Sequence, residues 1–266
     1  MSEQQQPTET PPARIASVVD EGQPFPPIRR VPLLQPMQWW LRGWLDFRAA
    51  PRASLFYGLS FAGMGWLLRL ALKDAPQFLS VLTCGFLLLG PLLCLGLYDI
   101  SRRLERGERD LRDTVFAIRG RWSNVGVLAL VLGVIMLLWA RASLVVIAIS
   151  FTQGMPTSFL ATAASLDNLE FLIIYSFVGF LFASLVFAIS WVSIPLMLDR
   201  DTDAISAVII SVVSLFKNFR PALLWAIAIV ALTVIGFYTY NIAHLLFIPV
   251  IGHGTWHAYR DVVGEA

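Results

Sequence analysis

The sequence predicts an all-α polytopic membrane helix bundle, with six transmembrane helices arranged as three hairpins and interfacial amphipathic helices beside them. Three observations carry this. The chain is 57% hydrophobic and 14% charged, with a mean hydropathy of +0.68, which is more apolar surface than one water-soluble core of its length buries. Several windows of about 20 apolar residues have the length of a membrane-crossing helix. Finally, between Gly85 and Arg121 an apolar helix runs without a turn signal into a segment carrying seven Arg and five acids. Its first half belongs in lipid and its second in water. Because segments rich in Lys and Arg stay in the cytoplasm, the boundary at Tyr98 and Asp99 orients every other span.

Residues 1–36 are rich in Pro, Gln, Glu and Thr and lack the apolar core of a cleaved signal peptide, so they read as a disordered cytoplasmic tail. Residues 37–263 form one membrane domain. It opens with MQWWLRGWLDFRAAPR, where Met37, Trp40, Leu41, Trp44 and Leu45 recur on one helical face. A helix of this kind suits the headgroup region. There Trp39, Trp40 and Trp44 are favoured and Arg42 meets anionic lipid. Packing of the same helix on the protein's own inner face is the other reading, and the two are compatible.

The first span is expected at about 53–72, with Gly58, Ala62, Gly63 and Gly65 permitting close helix approach. Arg69 near its far end snorkels outward beside Lys73. A short DAPQ turn returns the chain through a second span at 77–98, which Pro91 kinks. The third span, 122–141, covers about one hydrocarbon thickness, which puts Arg141 at the outer interface. Residues 142–168 are then read as an outer segment partly lying on the membrane, a longer tilted third helix being the alternative. The fourth span, 169–198, carries a small-residue stripe of Ser176, Gly179 and Ala183, with Pro195 near its inner end. After an amphipathic approach at 204–220, the apolar block 222–259 is too long for one crossing. It must fold back near Tyr238 to Ala243, giving spans at 222–238 and 243–259.

Charge supports an even number of spans independently. Of the 20 Lys and Arg, all but Arg69, Lys73 and Arg141 fall on the proposed inner side, with both termini. This sorting by compartment argues against nucleic acid as a partner. The bilayer is one partner, and a further membrane protein or complex docked on small-residue stripes and the aromatic inner surface is another. Cys84 and Cys94 lie about 15 Å apart along one helix, beyond disulfide reach, and read as packing residues.

The hairpins suggest a threefold repeat. FRAAPRASLFYGL at 47, FAIRGRWSNVGVL at 116 and FKNFRPALLWAIA at 216 each lead from a basic surface segment into an odd-numbered span. Pro91, Pro195 and Pro249 each sit toward the inner half of an even-numbered span. If they surround one inner-leaflet centre, the carbonyls they release join Tyr98, His253 and His257 in a polar site. His253 and His257 are four residues apart on one helical face and could ligate one metal or haem iron, with Asp99, Glu105, Asp199 or Asp261 completing a shell. The plainer reading is that both rings hydrogen-bond helix ends and headgroups beside Trp256, Tyr259 and Arg260, so no cofactor is expected. No H-E-x-x-H, P-loop, G-x-G-x-x-G or nucleophile-elbow motif occurs.

The runs WLDFRAAPRASLFYG, GFLLLGPLLCLGLYDISRRLERGE and LFIPVIGHGTWHAYRD occur in one order across roughly residues 30–263. With them the chain resembles the bacterial integral membrane family called domain of unknown function 2189 (DUF2189). The resemblance implies a six-helix protein of the bacterial plasma (inner) membrane with no agreed activity. Some members carry the label cytochrome c oxidase subunit I-like, a chemistry that needs more intramembrane histidines than His244, His253 and His257 supply. The functional expectation is therefore a non-catalytic accessory, scaffold or assembly factor. A transporter or channel-like protein for a neutral solute or lipid is the alternative, and a metal- or haem-binding enzyme comes third.

Overall fold

The computed structural model describes residues 26–108, 114, 122–152 and 168–264. Among them are eleven helices: α1 (Gln35–Ala49), α2 (Pro51–Ala71), α3 (Pro76–Leu88), α4 (Gly90–Leu93), α5 (Leu95–Glu105), α6 (Trp122–Ser150), α7 (Leu169–Ser190), α8 (Ser193–Asp199), α9 (Ala204–Lys217), α10 (Phe219–Tyr238) and α11 (His244–Val262). The described residues contain no strand beyond one isolated antiparallel bridge, Ile28 to Val263.

Among the described residues three helical stretches are long and apolar enough to cross a membrane: Ser123–Ser150, Leu169–Asp199 and Phe219–Tyr238. The other three expected spans coincide with α2, with the interrupted run α3–α5, and with α11. Proline marks several of these elements. It occupies the first turn of α1, α2, α3 and α4, where a missing N–H costs nothing. The breaks at Leu89 and Cys94 flank Pro91, and that at Trp191–Val192 precedes Pro195. Pro249, by contrast, sits inside a continuous α11.

α6 corrects the expected end of the third span. It continues unbroken through Arg141 to Ser150, about 44 Å of helix, so Ala142–Ser150 extend the helix. Arg141 is exposed and interrupts nothing. A long side chain on a lipid-facing surface can carry its charge toward water while its stem stays apolar. The remainder of the outer segment, 153–167, lies outside the described residues.

The tail expectation also changes at its end. Arg29 N–H donates to Val262 C=O at 2.8 Å and Gly264 N–H to Pro27 C=O at 2.9 Å. Val31 N–H donates to Asn218 Oδ1 at 2.9 Å. Residues 26–34 are thus tied to the chain end and to the α9–α10 junction, while 1–25 lie outside the described residues.

α11 is the hub. It packs against α1, α2, α5 and α10, and every residue from Ile248 to Tyr259 is buried. Glycine permits this at the crossing with α1. A Cβ on Gly43 would lie 2.5 Å from Val250 O and 2.7 Å from Gly254 N, so the two backbones touch with no side chain between them. Trp39 and Trp225 meet edge to face above Gly254, ring centroids 5.8 Å apart. Such a pair contributes about 0.5–1.5 kcal/mol beyond its burial. Some small residues of the first and fourth spans are likewise used internally, whereas Ser176 and Ala183 are exposed. A Cβ on Gly58 would lie 2.3 Å from Leu245 O, one on Gly65 would meet Asn241, and one on Gly179 would meet Trp139. Gly63 faces open space.

The reversal at 239–243 uses two non-glycine residues at positive φ, Tyr240 (55°) and Asn241 (68°), a conformation that needs local support. Trp66 Nε1–H donates to Tyr240 O at 2.6 Å, and the Arg69 guanidinium lies 4.8 Å from the centre of the Tyr240 ring. His244 Nδ1 and Asn241 Oδ1 are 3.0 Å apart. His244 is therefore a turn residue, far from the other two histidines.

Candidate functional site

α1 is turned inside out relative to a helix on a water-soluble protein. Gln35, Trp39, Arg42, Gly43 and Asp46 recur at helical spacing and face α11, whereas Met37 (69% exposed), Leu41 (56%) and Leu45 (51%) face outward. α9 shows the same inversion: Ala204, Ala207, Ser211 and Ser214 are buried, while Ile205, Ile209, Val213 and Phe216 are exposed. Small and polar residues inward with large apolar residues outward is the pattern of a helix lying against an apolar medium.

This geometry corrects two of the four expected interface residues. Trp40 and Trp44 retain partial exposure, but Trp39 is fully buried and donates its Nε1–H to Asp261 Oδ2 at 2.8 Å. Arg42 turns back to pair with the same carboxylate, and Gln35 Nε2 donates to it at 2.7 Å. Burial alone would raise the Asp261 carboxyl. The hydrogen bonds from Arg42, Gln35 and Trp39 outweigh that and hold it below the ordinary Asp value.

A second polar cluster lies deeper, where α1, α2, α5 and α11 meet. His253 is fully buried, with Nε2 2.9 Å from Ser54 Oγ and Nδ1 2.8 Å from Ser101 Oγ. Ser54 Oγ also lies 2.8 Å from Ala50 O, and Ser101 Oγ 2.7 Å from Asp46 Oδ2. These four contacts require four protons, yet two hydroxyls and one neutral imidazole supply three. Ala50 O already accepts the Ser54 backbone N–H, so its second bond is the least costly to lose. Ser54 then donates to Nε2, Nδ1–H donates to Ser101, and Ser101 donates to Asp46. The same Asp46 oxygen lies 2.8 Å from His257 Nε2, whose Nδ1 is 3.6 Å from Glu105.

The histidine pair is thus held by two distinct sets of partners, Ser54, Ser101 and the Leu97 backbone for His253 and carboxylates for His257. Of the acids considered as further ligands, only Glu105 approaches. Asp99 is spent on Arg102 and Arg103, Asp199 on Tyr259, Arg260 and Arg106, and Asp261 on α1. Among the described residues no group of three or more His, Cys, Asp or Glu has metal-holding geometry. Asp46, Ser54 and Ser101 were not singled out in the sequence, where each reads as an ordinary polar position.

The prolines are not equivalent. Pro195 and Pro249 are buried, whereas Pro91 is partly exposed. Tyr98 is buried in the main apolar core. Two cavities of the described residues lie elsewhere. One, about 20 Å³, is enclosed by α2, α3, α10 and α11 around His244 and Asn241, room for about one water. The other, about 250 Å³, opens at the α9–α10 junction and is lined by Arg30, Val31 and residues 216–221.

Residues 78–199 match the model of a family described as predicted integral membrane protein (DUF2189). The match contains the second of the three runs that carry the resemblance and leaves those at 44–58 and 246–261 outside. No curated protein and no solved structure matches the chain.

Proposed function

We propose that the chain is a six-span protein of the bacterial inner membrane, both termini cytoplasmic, serving as a non-catalytic accessory, scaffold or assembly factor for another membrane protein or complex. One observation carries the reading. The polar residues gathered at one end of the bundle are spent on one another, in Asp261 with α1, Asp99 with two arginines, and His253 between two serines. Such a layer locks helices together, and among the described residues these three groups leave no free acid or base to offer a substrate. Outward, α6, α7 and α10 expose broad apolar faces such as Leu130, Leu137, Ile173, Phe177, Phe180 and Val230, surface for lipid or a partner's helices.

The orientation is tested by cysteine labelling from outside, with Cys84 and Cys94 replaced. A Cys at Ser158 is modified and one at Glu108, an exposed position, is spared; the reverse pattern overturns the orientation. Ser101 is unsuited as the inner probe because burial alone would protect it. The role is tested by purification in mild detergent with mass spectrometry of protein, solute and metal. A stoichiometric protein partner, lost when Phe177 and Phe180 are replaced by Ser, is expected. A stoichiometric solute would favour transport, and a stoichiometric metal a metal-dependent activity.

A further inference from the structure

We propose that the groove at the α9–α10 junction is a binding site for the phosphate of an anionic phospholipid. The groove has a volume of about 250 Å³ and is lined by three cationic side chains, Arg30, Lys217 and Arg220, with no acid among its lining residues. Arg30 and Arg220 are exposed and make no ion pair among the described residues. Cations gathered without a counter-charge form a field that attracts an anion, and basic pockets beside membrane helices take phospholipid headgroups.

The groove is built and held in shape. Asn218, buried at the junction, accepts from Val31 N–H through Oδ1 and donates to Arg29 O through Nδ2 at 2.9 Å. Lys217 Nζ donates to Ile28 O. Residues 28–31 are therefore fixed against α9 and carry Arg30 to the rim. With the Asn218 side chain used in this way, the first turn of α10 has no side-chain cap.

A lipid, and not free phosphate, is the source favoured by what borders the cations. Phe216 (74% exposed) and Phe219 (54% exposed) line the same groove, and Ile205, Ile209 and Val213 continue the apolar strip along α9. Charge and apolar surface adjoin as glycerol phosphate and acyl chain do. This assignment rests on reading α10 as a span and α9 as interfacial. It does not depend on which side of the membrane the groove faces.

The test is native mass spectrometry of the full chain in a neutral detergent, given equal amounts of phosphatidylglycerol and phosphatidylcholine. The wild type is expected to retain phosphatidylglycerol preferentially. R30Q/R220Q is expected to retain about tenfold less, since each cation near an anionic surface contributes several-fold, while R141Q at the other end of the bundle keeps wild-type retention. F216S/F219S is expected to weaken lipid retention with the cations in place. Equal melting temperatures of the variants exclude unfolding as the cause. Retention unchanged in R30Q/R220Q overturns the site, and displacement of the lipid by excess inorganic phosphate overturns the lipid assignment in favour of a free-anion site. Because no arm reads sidedness, these results are separable from the labelling of Ser158 and Glu108 positions.

Discussion

Removing the Asp261 carboxylate tests how α1 is attached to the bundle. It accepts from Gln35 Nε2, Trp39 Nε1 and both terminal nitrogens of Arg42. In D261A the indole N–H of Trp39, on a residue that is fully buried, loses its acceptor, at a cost of about 1–3 kcal/mol. The Arg42 side chain is 34% exposed and that of Asp261 22%, so solvent screening limits the ion pair to about 0.5–1 kcal/mol. The sum is about 1.5–4 kcal/mol for D261A. D261N keeps an acceptor for Trp39 and loses mainly the charge, about 1 kcal/mol. Acid should erase the difference between wild type and D261N. The folded-state value of Asp261 is depressed, so its stabilisation is complete above the unfolded value near pH 4 and disappears as pH falls through the lower folded value. Thermal unfolding in detergent from about pH 6 to 2.5, followed by tryptophan emission, measures both effects. Equal stability of D261A and wild type, or a wild-type/D261N gap unchanged across that range, would refute the clamp.

Two further substitutions probe the packing directly. Gly43→Ala places a Cβ against the backbone of Val250 and Gly254 and should cost about 1–3 kcal/mol. Gly63→Ala, which meets nothing within 4 Å, should be neutral or stabilising by up to about 1 kcal/mol in the same melting assay. His253→Ala removes the ring between Ser54 and Ser101 and should cost about 2–4 kcal/mol, with hydrogen exchange rising first in α2 and α5.

The architecture was legible where it depends on local chain properties. Apolar length placed the helical stretches, and the break near Tyr238 to Ala243 follows from a block too long for one crossing. The site was less legible because its partners are distant in sequence: Asp46 reaches His257 across 211 residues. Trp39 and Trp40 are adjacent and chemically identical, yet one meets Asp261 and the other Phe247. The apolar face Met37, Leu41 and Leu45 was visible, but membrane composition does not reveal whether such a face turns inward or outward. Arg141 does not end its helix, because a charge marks depth in a membrane and carries no helix-stop signal, so α6 runs on to Ser150.

The α1–α2 and α9–α10 junctions show how similar backbones direct polar chemistry to different places. The α1–α2 junction at Ala50 (φ −131°, ψ 55°) and the α9–α10 junction at Asn218 (φ −122°, ψ 36°) have nearly the same backbone. Each receives the same hydrogen bonds, Ala50 N–H to Asp46 O and Ser54 N–H to Ala50 O in one, Asn218 N–H to Ser214 O and Ala222 N–H to Asn218 O in the other. Residues 116–121 of the corresponding segment lie outside the described residues. Superposing the two junctions sets Asp46 opposite Ser214, Ala50 opposite Asn218 and Ser54 opposite Ala222, one residue out of register with the runs at 47 and 216. The first copy therefore spends its polar side chains inward, on the two histidines of α11, and the second spends Asn218 on residues 29 and 31, which opens a basic groove. Two similarly kinked junctions thus supply a buried lock in one place and the proposed outward-facing anion site in the other. The difference lies in three side chains per junction, not in the fold.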